Sequence, residues 1–188
     1  MVITADQVKA LREKTGAGIM DSKRALQESE GDMGKAETLL QAQGLTKAGK
    51  KGDRVALQGV IEPYVHGGRI GALVEVNCET DFVARTPDFK TLAHHIAMQV
   101  AAMNPRYIAK DDVPESDYAG LESEFGSRDD AVKAVVLLEQ PFIRDSKTTI
   151  GDLVKNGIAK LGENIQISRF SRFEVGADRP AASATADA

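Results

Sequence analysis

The stretch Val55–Val76, VALQGVIEPYVHGGRIGALVEV, is where the chain changes period. Val55, Leu57, Gly59 and Ile61 alternate with Ala56, Gln58, Val60 and Glu62, and Ile70–Val76 is a second β-like run. A two-residue period sends successive side chains to opposite faces of a sheet. Between the two runs, His66-Gly67-Gly68-Arg69 supplies glycines for the positive φ of a tight turn. An antiparallel hairpin is therefore expected, and the residues before it follow a different rhythm.

Upstream, the period is helical. Thr4 with Gln7 three residues later is a capping-box pattern, and Val8 and Leu11 follow at helical spacing until Thr15-Gly16-Ala17-Gly18. A second helix is expected over Met20–Glu28, with Ala25 and Leu26 inward. Asp32 can cap a third, in which Met33, Ala36, Leu39 and Leu40 form the apolar stripe and Gly44 the stop. Residues 1–45 thus read as a three-helix module too small to bury much area alone. Residues 46–53, with the basic, glycine-containing TKAGKKG, read as a linker. Charge changes across it: residues 1–52 hold nine basic and seven acidic side chains, the remainder fifteen and twenty-one.

Downstream of the hairpin, Asp88 is the expected N-cap of a helix with Phe89, Leu92, Ile96 and Val100 on one stripe, ended before Pro105. Residues 104–130 form an acidic excursion, with eight acids against Arg128 alone between 111 and 130. Its expected state is solvated, flexible or helical. Ala131–Leu138 is an apolar run broken at Pro141, Thr149–Leu161 an amphipathic helix stopped by Gly162, and Ile165–Val175 an alternating strand. In that strand Ile165, Ile167, Arg169, Ser171 and Phe173 make one set, and Gln166, Ser168, Phe170 and Arg172 the other. The fold class is α+β: a three-helix module, then a core over 54–175 with a mainly antiparallel sheet and packed helices. Residues 176–188, rich in Ala, Ser and Asp, are expected to be a disordered tail.

Composition excludes several functions. With 24 basic and 28 acidic residues, a net charge of −4 and a pI near 5.5, the chain does not suit direct binding to nucleic acid. No apolar run approaches the ~18–20 residues of a membrane span, and residues 1–10 lack the charged start and apolar stretch of a secretory signal. One cysteine, Cys78, rules out an intrachain disulfide framework and fits a reducing, cytoplasmic setting.

The motifs that suggest chemistry weaken on inspection. Gly44–Lys50 satisfies the first part of a P-loop. However, Lys51 replaces the Ser or Thr that would hold Mg²⁺, and the segment follows a helix instead of a strand. His94 and His95 are adjacent, so on a helix they point about 100° apart and do not converge on one metal. Cys78 has no positioned base nearby in sequence, and the carboxylates of 111–130 lack the shielding that would shift their pKa values. No catalytic residue, metal site or cofactor is expected. Two segments do stand out. Ile19-Met20 follows a tight glycine turn on a bundle too small to cover both residues. Phe82, in NCETDFVAR (Asn77–Arg85), sits at the hairpin exit between acids and an arginine. Exposed apolar groups on rigid turns are interface features more than catalytic ones.

At these two segments the chain resembles the bacterial elongation factor Ts family. The matching pieces are VKALREKTGAGIMDSKRAL (Val8–Leu26), VEVNCETDFVAR (Val74–Arg85) and QPFIRD with the helix and strand that follow it (Gln140–Phe173). The resemblance implies a ubiquitin-associated-like three-helix domain followed by an α+β core, and a guanine-nucleotide exchange factor for the GTPase elongation factor Tu. It implies docking through Arg12, Ile19 and Met20. It also implies that Thr80, Asp81, Phe82 and Val83 push into the GTPase and dislodge its nucleotide-bound Mg²⁺. The chain resembles the short form, for which a homodimer is implied, and the family often carries Cys at the position of Ser22. Two other readings compete: a ubiquitin-associated-like adaptor without exchange activity, and an enzyme using Cys78 with His94 or His95.

Overall fold

The computed structural model describes residues 3–15, 17–49 and 51–177. Three helices come first: α1 (Ala5–Thr15), α2 (Ile19–Glu28) and α3 (Met33–Gly49). The capping box at α1 is formed, with the Gln7 amide donating to Thr4 Oγ1 (3.3 Å) and the Thr4 amide to Gln7 Oε1 (3.0 Å). Asp32 Oδ1 accepts from the Lys35 amide at 3.0 Å and caps α3. Val8, Leu11, Ala25, Leu26, Ala36 and Leu40 close a small core of their own.

The expected stop at Gly44 is not taken. α3 continues to Gly49, so the first half of the segment read as a linker is helical, and only Lys51–Arg54 turns. An internal glycine costs a helix about 1 kcal/mol, and α3 also packs against a helix of the core, α8 (Ile150–Leu161). Contact of that kind outweighs the local penalty. The tail expected to be disordered lies, over 178–188, outside the described residues.

The hairpin forms as expected: β1 (Gln58–His66) pairs antiparallel with β2 (Ile70–Cys78) around Gly67 and Gly68, whose φ values are 55° and 69°. After the four-residue α4 (Asp81–Ala84) comes α5 (Pro87–Met103). The N-cap of α5 is Thr86, two residues before the expected Asp88. Pro87 at the first helical position has no amide to satisfy and its φ is preset, which moves the start back. Asn104 in the left-handed region ends the helix.

The acidic excursion is helical. Two single 3₁₀ turns lead into α6 (Tyr118–Phe125) and α7 (Arg128–Val135). Val113, Tyr118, Leu121, Ala131, Val132, Val135 and Val136 give it a second small core. Its one base between 111 and 130 is fully employed: Arg128 pairs with Glu115 through both nitrogens (2.9 and 2.8 Å) and lies 3.4 Å over the Tyr118 ring. A short hairpin that the sequence reading does not contain, β3 (Pro141–Phe142) with β4 (Asp145–Thr149), then leads into α8 and β5 (Ile165–Glu174).

The main sheet has the order β1-β2-β5 and is antiparallel throughout. A bulge where Glu75 and Val76 of β2 meet β5 leaves Ser168 unpaired. This splits the alternating sets expected in β5. Ile165, Ile167, Phe170 and Arg172 face inward, whereas Arg169, Ser171 and Phe173 face out. Helices α5 and α8 cover the inner face, and Val74, Val76, Phe89, Ile96 and Ile150 in this core are fully buried. The outer face carries Ile61, Pro63, Val65, Leu73 and Phe173 around a Glu75–Arg169 ion pair of 2.7 Å.

Candidate functional site

Phe82 is 78% exposed although it is bracketed by buried Cys78 and Ala84. The reason is local. Thr80 has extended backbone and acts as N-cap of α4, its Oγ1 accepting from the Val83 amide at 3.4 Å. The single turn that follows sends Val83 against the main core, with Ala84 buried, and leaves Phe82 facing solvent. Asp81 holds Arg85 at 2.7 Å along the same turn. Thr80, Asp81, Phe82 and Val83 therefore form one rigid projection, with the aromatic ring at its tip.

A four-residue helix cannot hold itself, since nucleation costs more than one turn returns. The support comes from the loop between α8 and β5. Glu163 Oε2 accepts from the amides of Glu79 (3.1 Å) and Thr80 (2.9 Å), and its Oε1 accepts from the Thr80 hydroxyl (2.6 Å). Glu79 Oε1 in turn accepts from the Asn164 amide at 2.6 Å. Asn164 is buried, and its Nδ2 donates to the carbonyls of Gly52 (3.1 Å) and Arg54 (2.7 Å). Lys51 Nζ also donates to the Gly162 carbonyl at 2.6 Å. The turn bearing Phe82 and the segment following α3 are thus tied to one loop. Sequence reading treats that loop only as a helix stop, and no local pattern links Glu163 to Thr80.

The three residues expected to dock occupy the start of the helical module. Arg12 and Ile19 line a cleft of about 400 Å³ together with Ile3, Thr4, Ala5, Val8, Lys9 and Lys23. Its floor is apolar and its rim basic. Met20, 74% exposed, lies next to Ile19 at the start of α2 but does not line the cleft. Lys9 and Lys23 are the basic members that the sequence reading misses. A one-turn spacing from each of the predicted residues, Arg12 and Ile19, could have found them.

The groups weighed for catalysis are engaged elsewhere. The Cys78 thiol donates to the Thr80 carbonyl at 3.1 Å, and burial, then the charge of Glu163, pushes its pKa up. His94 meets Glu62 at 2.9 Å and His95 lies on Phe142 with ring centroids 5.1 Å apart, so neither histidine is paired with the thiol. Among the described residues no three His, Cys, Asp or Glu side chains gather as a metal site, and no helix is long and apolar enough to cross a membrane.

The family model described as Elongation factor TS matches residues 50–125, the range that holds the hairpin, α4 and α5. The elongation factor Ts of Carboxydothermus hydrogenoformans is 49% identical, over 93% of this chain and 90% of the relative. That of Moorella thermoacetica is 49% identical over 93% and 96%. That of Coprothermobacter proteolyticus is 48% identical over 94% and 100%. This chain belongs to the elongation factor Ts family. As a member of that family it is a factor of translation elongation, and the α+β architecture with its helical N-terminus fits the family. The Phe82 projection lies inside the matched range of the elongation factor Ts model, whereas Glu163 lies beyond it.

Proposed function

We propose that the chain is a guanine-nucleotide exchange factor that binds elongation factor Tu in its GDP state, disturbs the Mg²⁺ site and promotes GDP release so that GTP can bind. The observation that carries this reading is the Phe82 ring, 78% exposed on a turn fixed to the core. A rigid apolar tip transmits force to a partner, where a flexible one would simply fold away. Mg²⁺ bridges nucleotide phosphates to their protein, so shifting the elements that support it removes strong local electrostatic stabilisation. Binding of factor and of GDP then oppose each other, each tenfold weakening corresponding to about 1.4 kcal/mol of coupling. No residue of this chain needs to perform covalent chemistry.

The basic-rimmed cleft with Arg12 and Ile19, beside Met20, is the proposed docking surface, and its charge favours an acidic patch with an apolar centre on the partner. We also propose a homodimer through the outer sheet face, where Ile61, Val65, Leu73 and Phe173 are uncovered in the single chain.

The test is release of labelled GDP from elongation factor Tu. The parent accelerates it, and Phe82→Ala loses most of the acceleration while still binding through the N-terminal module. Binding without acceleration by the parent would instead identify an adaptor. Light scattering gives the assembly: a dimer for the parent and a monomer for Phe173→Glu.

A further inference from the structure

We infer that Glu163 is a positioning residue for exchange, acting through Thr80 to hold the Phe82 turn in its working orientation. The inference rests on the reading of Phe82 given above and extends it to a residue 81 positions away in sequence, 163 against 82.

One carboxylate satisfies three donors at a single corner: two consecutive amides, of Glu79 and Thr80, and the Thr80 hydroxyl, all between 2.6 and 3.1 Å. Those two amides precede α4 and have no partner within it. The hydroxyl contact does more. Because Thr80 Oγ1 gives its proton to Glu163, its lone pairs are left to accept from the Val83 amide, which is the cap that starts α4. The Thr80 carbonyl is fixed as well, accepting from Cys78 Sγ (3.1 Å) and the Ala84 amide (3.3 Å). Every polar atom of Thr80 is therefore assigned, and Phe82 is two residues further along a single turn. Without Glu163 the amides turn to water and the cap loses its directed hydroxyl. The apolar contacts of Val83 and Ala84 hold the turn in place but do not fix its pitch. Glu163 itself is half-buried and acts through the amides and hydroxyl it accepts from, so it needs no contact with the partner to act.

The reciprocal bond from the Asn164 amide to Glu79 Oε1 closes the corner from the other side. Two loops far apart in sequence thus each place a carboxylate on the other's backbone, an arrangement that specifies position more than it adds net stability.

The experiment is a double-mutant cycle with the full chain, reading accelerated GDP release at subsaturating factor. Phe82→Ala, Glu163→Ala and the double variant are compared, with thermal midpoints and amide exchange of Thr80–Val83 measured on each. Glu163→Ala is expected to lower the acceleration about tenfold and raise amide exchange in the turn, yet to change the Phe82→Ala protein less than about twofold. Glu163→Gln keeps the side chain's size and one acceptor oxygen. It should recover part of the rate, and it stands in if the alanine variant does not fold. Full additivity of the two substitutions, or an unchanged rate in Glu163→Ala and Glu163→Gln, overturns the positioning role while leaving Phe82 in place. An unchanged rate in Phe82→Ala overturns the reading of Phe82 and the inference with it. In that case amide exchange in Glu163→Ala still reports whether the corner holds the turn.

Discussion

Gln99 on α5 and Gln140 after α7 are both completely buried, and Gln99 Nε2 donates to Gln140 Oε1 at 3.1 Å. The same nitrogen also donates to the Pro141 carbonyl at 3.1 Å, Gln99 Oε1 accepts from the Ile143 amide at 3.0 Å, and Gln140 Nε2 reaches the Ala134 carbonyl at 2.7 Å. The pair thus fastens the β3–β4 hairpin and the end of α7 to the central helix. Gln99→Leu fills similar volume but leaves three partners unmatched in the core. It should cost ~3–5 kcal/mol, read as a lower urea midpoint with an unchanged slope.

Two phenylalanines only seven positions apart should separate stability from function. Phe89 is fully buried on α5, and Phe89→Ala should cost ~3–5 kcal/mol. Phe82 is exposed, and Phe82→Ala should alter stability by less than ~0.5 kcal/mol while removing most of the acceleration of GDP release. A large thermal shift in Phe82→Ala would show that the ring is packed in solution.

Asn164→Ala removes the two bonds that hold the Gly52 and Arg54 carbonyls. A loss of ~2–3 kcal/mol is expected, with increased proteolysis between the helical module and the sheet. If cleavage there matched the parent, the bond to Lys51 would be the stronger tether.

Burial, then the charges of Arg144 and His94, lowers the pKa of His95 below its ordinary 6.5. The folded protein therefore disfavours protonated His95. Its contribution to stability is fully present above 6.5 and is lost as pH falls through the lowered folded value. Thermal midpoints measured from about pH 7.5 to about pH 5 should fall less steeply in His95→Leu than in the parent. Parallel curves would mean that the ring is solvated in the folded state.

Ser22 is completely buried in the helical module, and its hydroxyl has no hydrogen-bond partner. A cysteine thiol at that position loses less on leaving water than a hydroxyl does. Ser22→Cys should raise the unfolding free energy of the module by ~1 kcal/mol, seen in its thermal transition.

What the sequence discloses is what neighbouring residues settle between themselves. Thr4 with Gln7 and Asp32 with Lys35 place their helix starts by bonds three residues long, and the Gly67-Gly68 turn fixes the β1–β2 register. Alternation in β5 misleads after Ser168 because a bulge is decided by the strand opposite, and nothing in ISRF announces it. Gly44 misleads because packing against α8 decides where α3 ends. The site divides in the same way. Phe82 is legible as an aromatic among charges at a hairpin exit, whereas Glu163 and Asn164 gain their meaning only when β5 returns beside β2.

That return has a consequence for how the molecule is made. β2 is the middle strand, its first neighbour is made just before it, and its second, β5, is the last regular element among the described residues. A ribbon of two strands is marginal in water. At roughly 5–20 residues per second, the nascent hairpin waits several seconds, while α4 through α8 are synthesised, with one edge of β2 unmatched. Elongation rate therefore paces the completion of this factor's own sheet, and a product released before Ile165 would carry that open edge permanently.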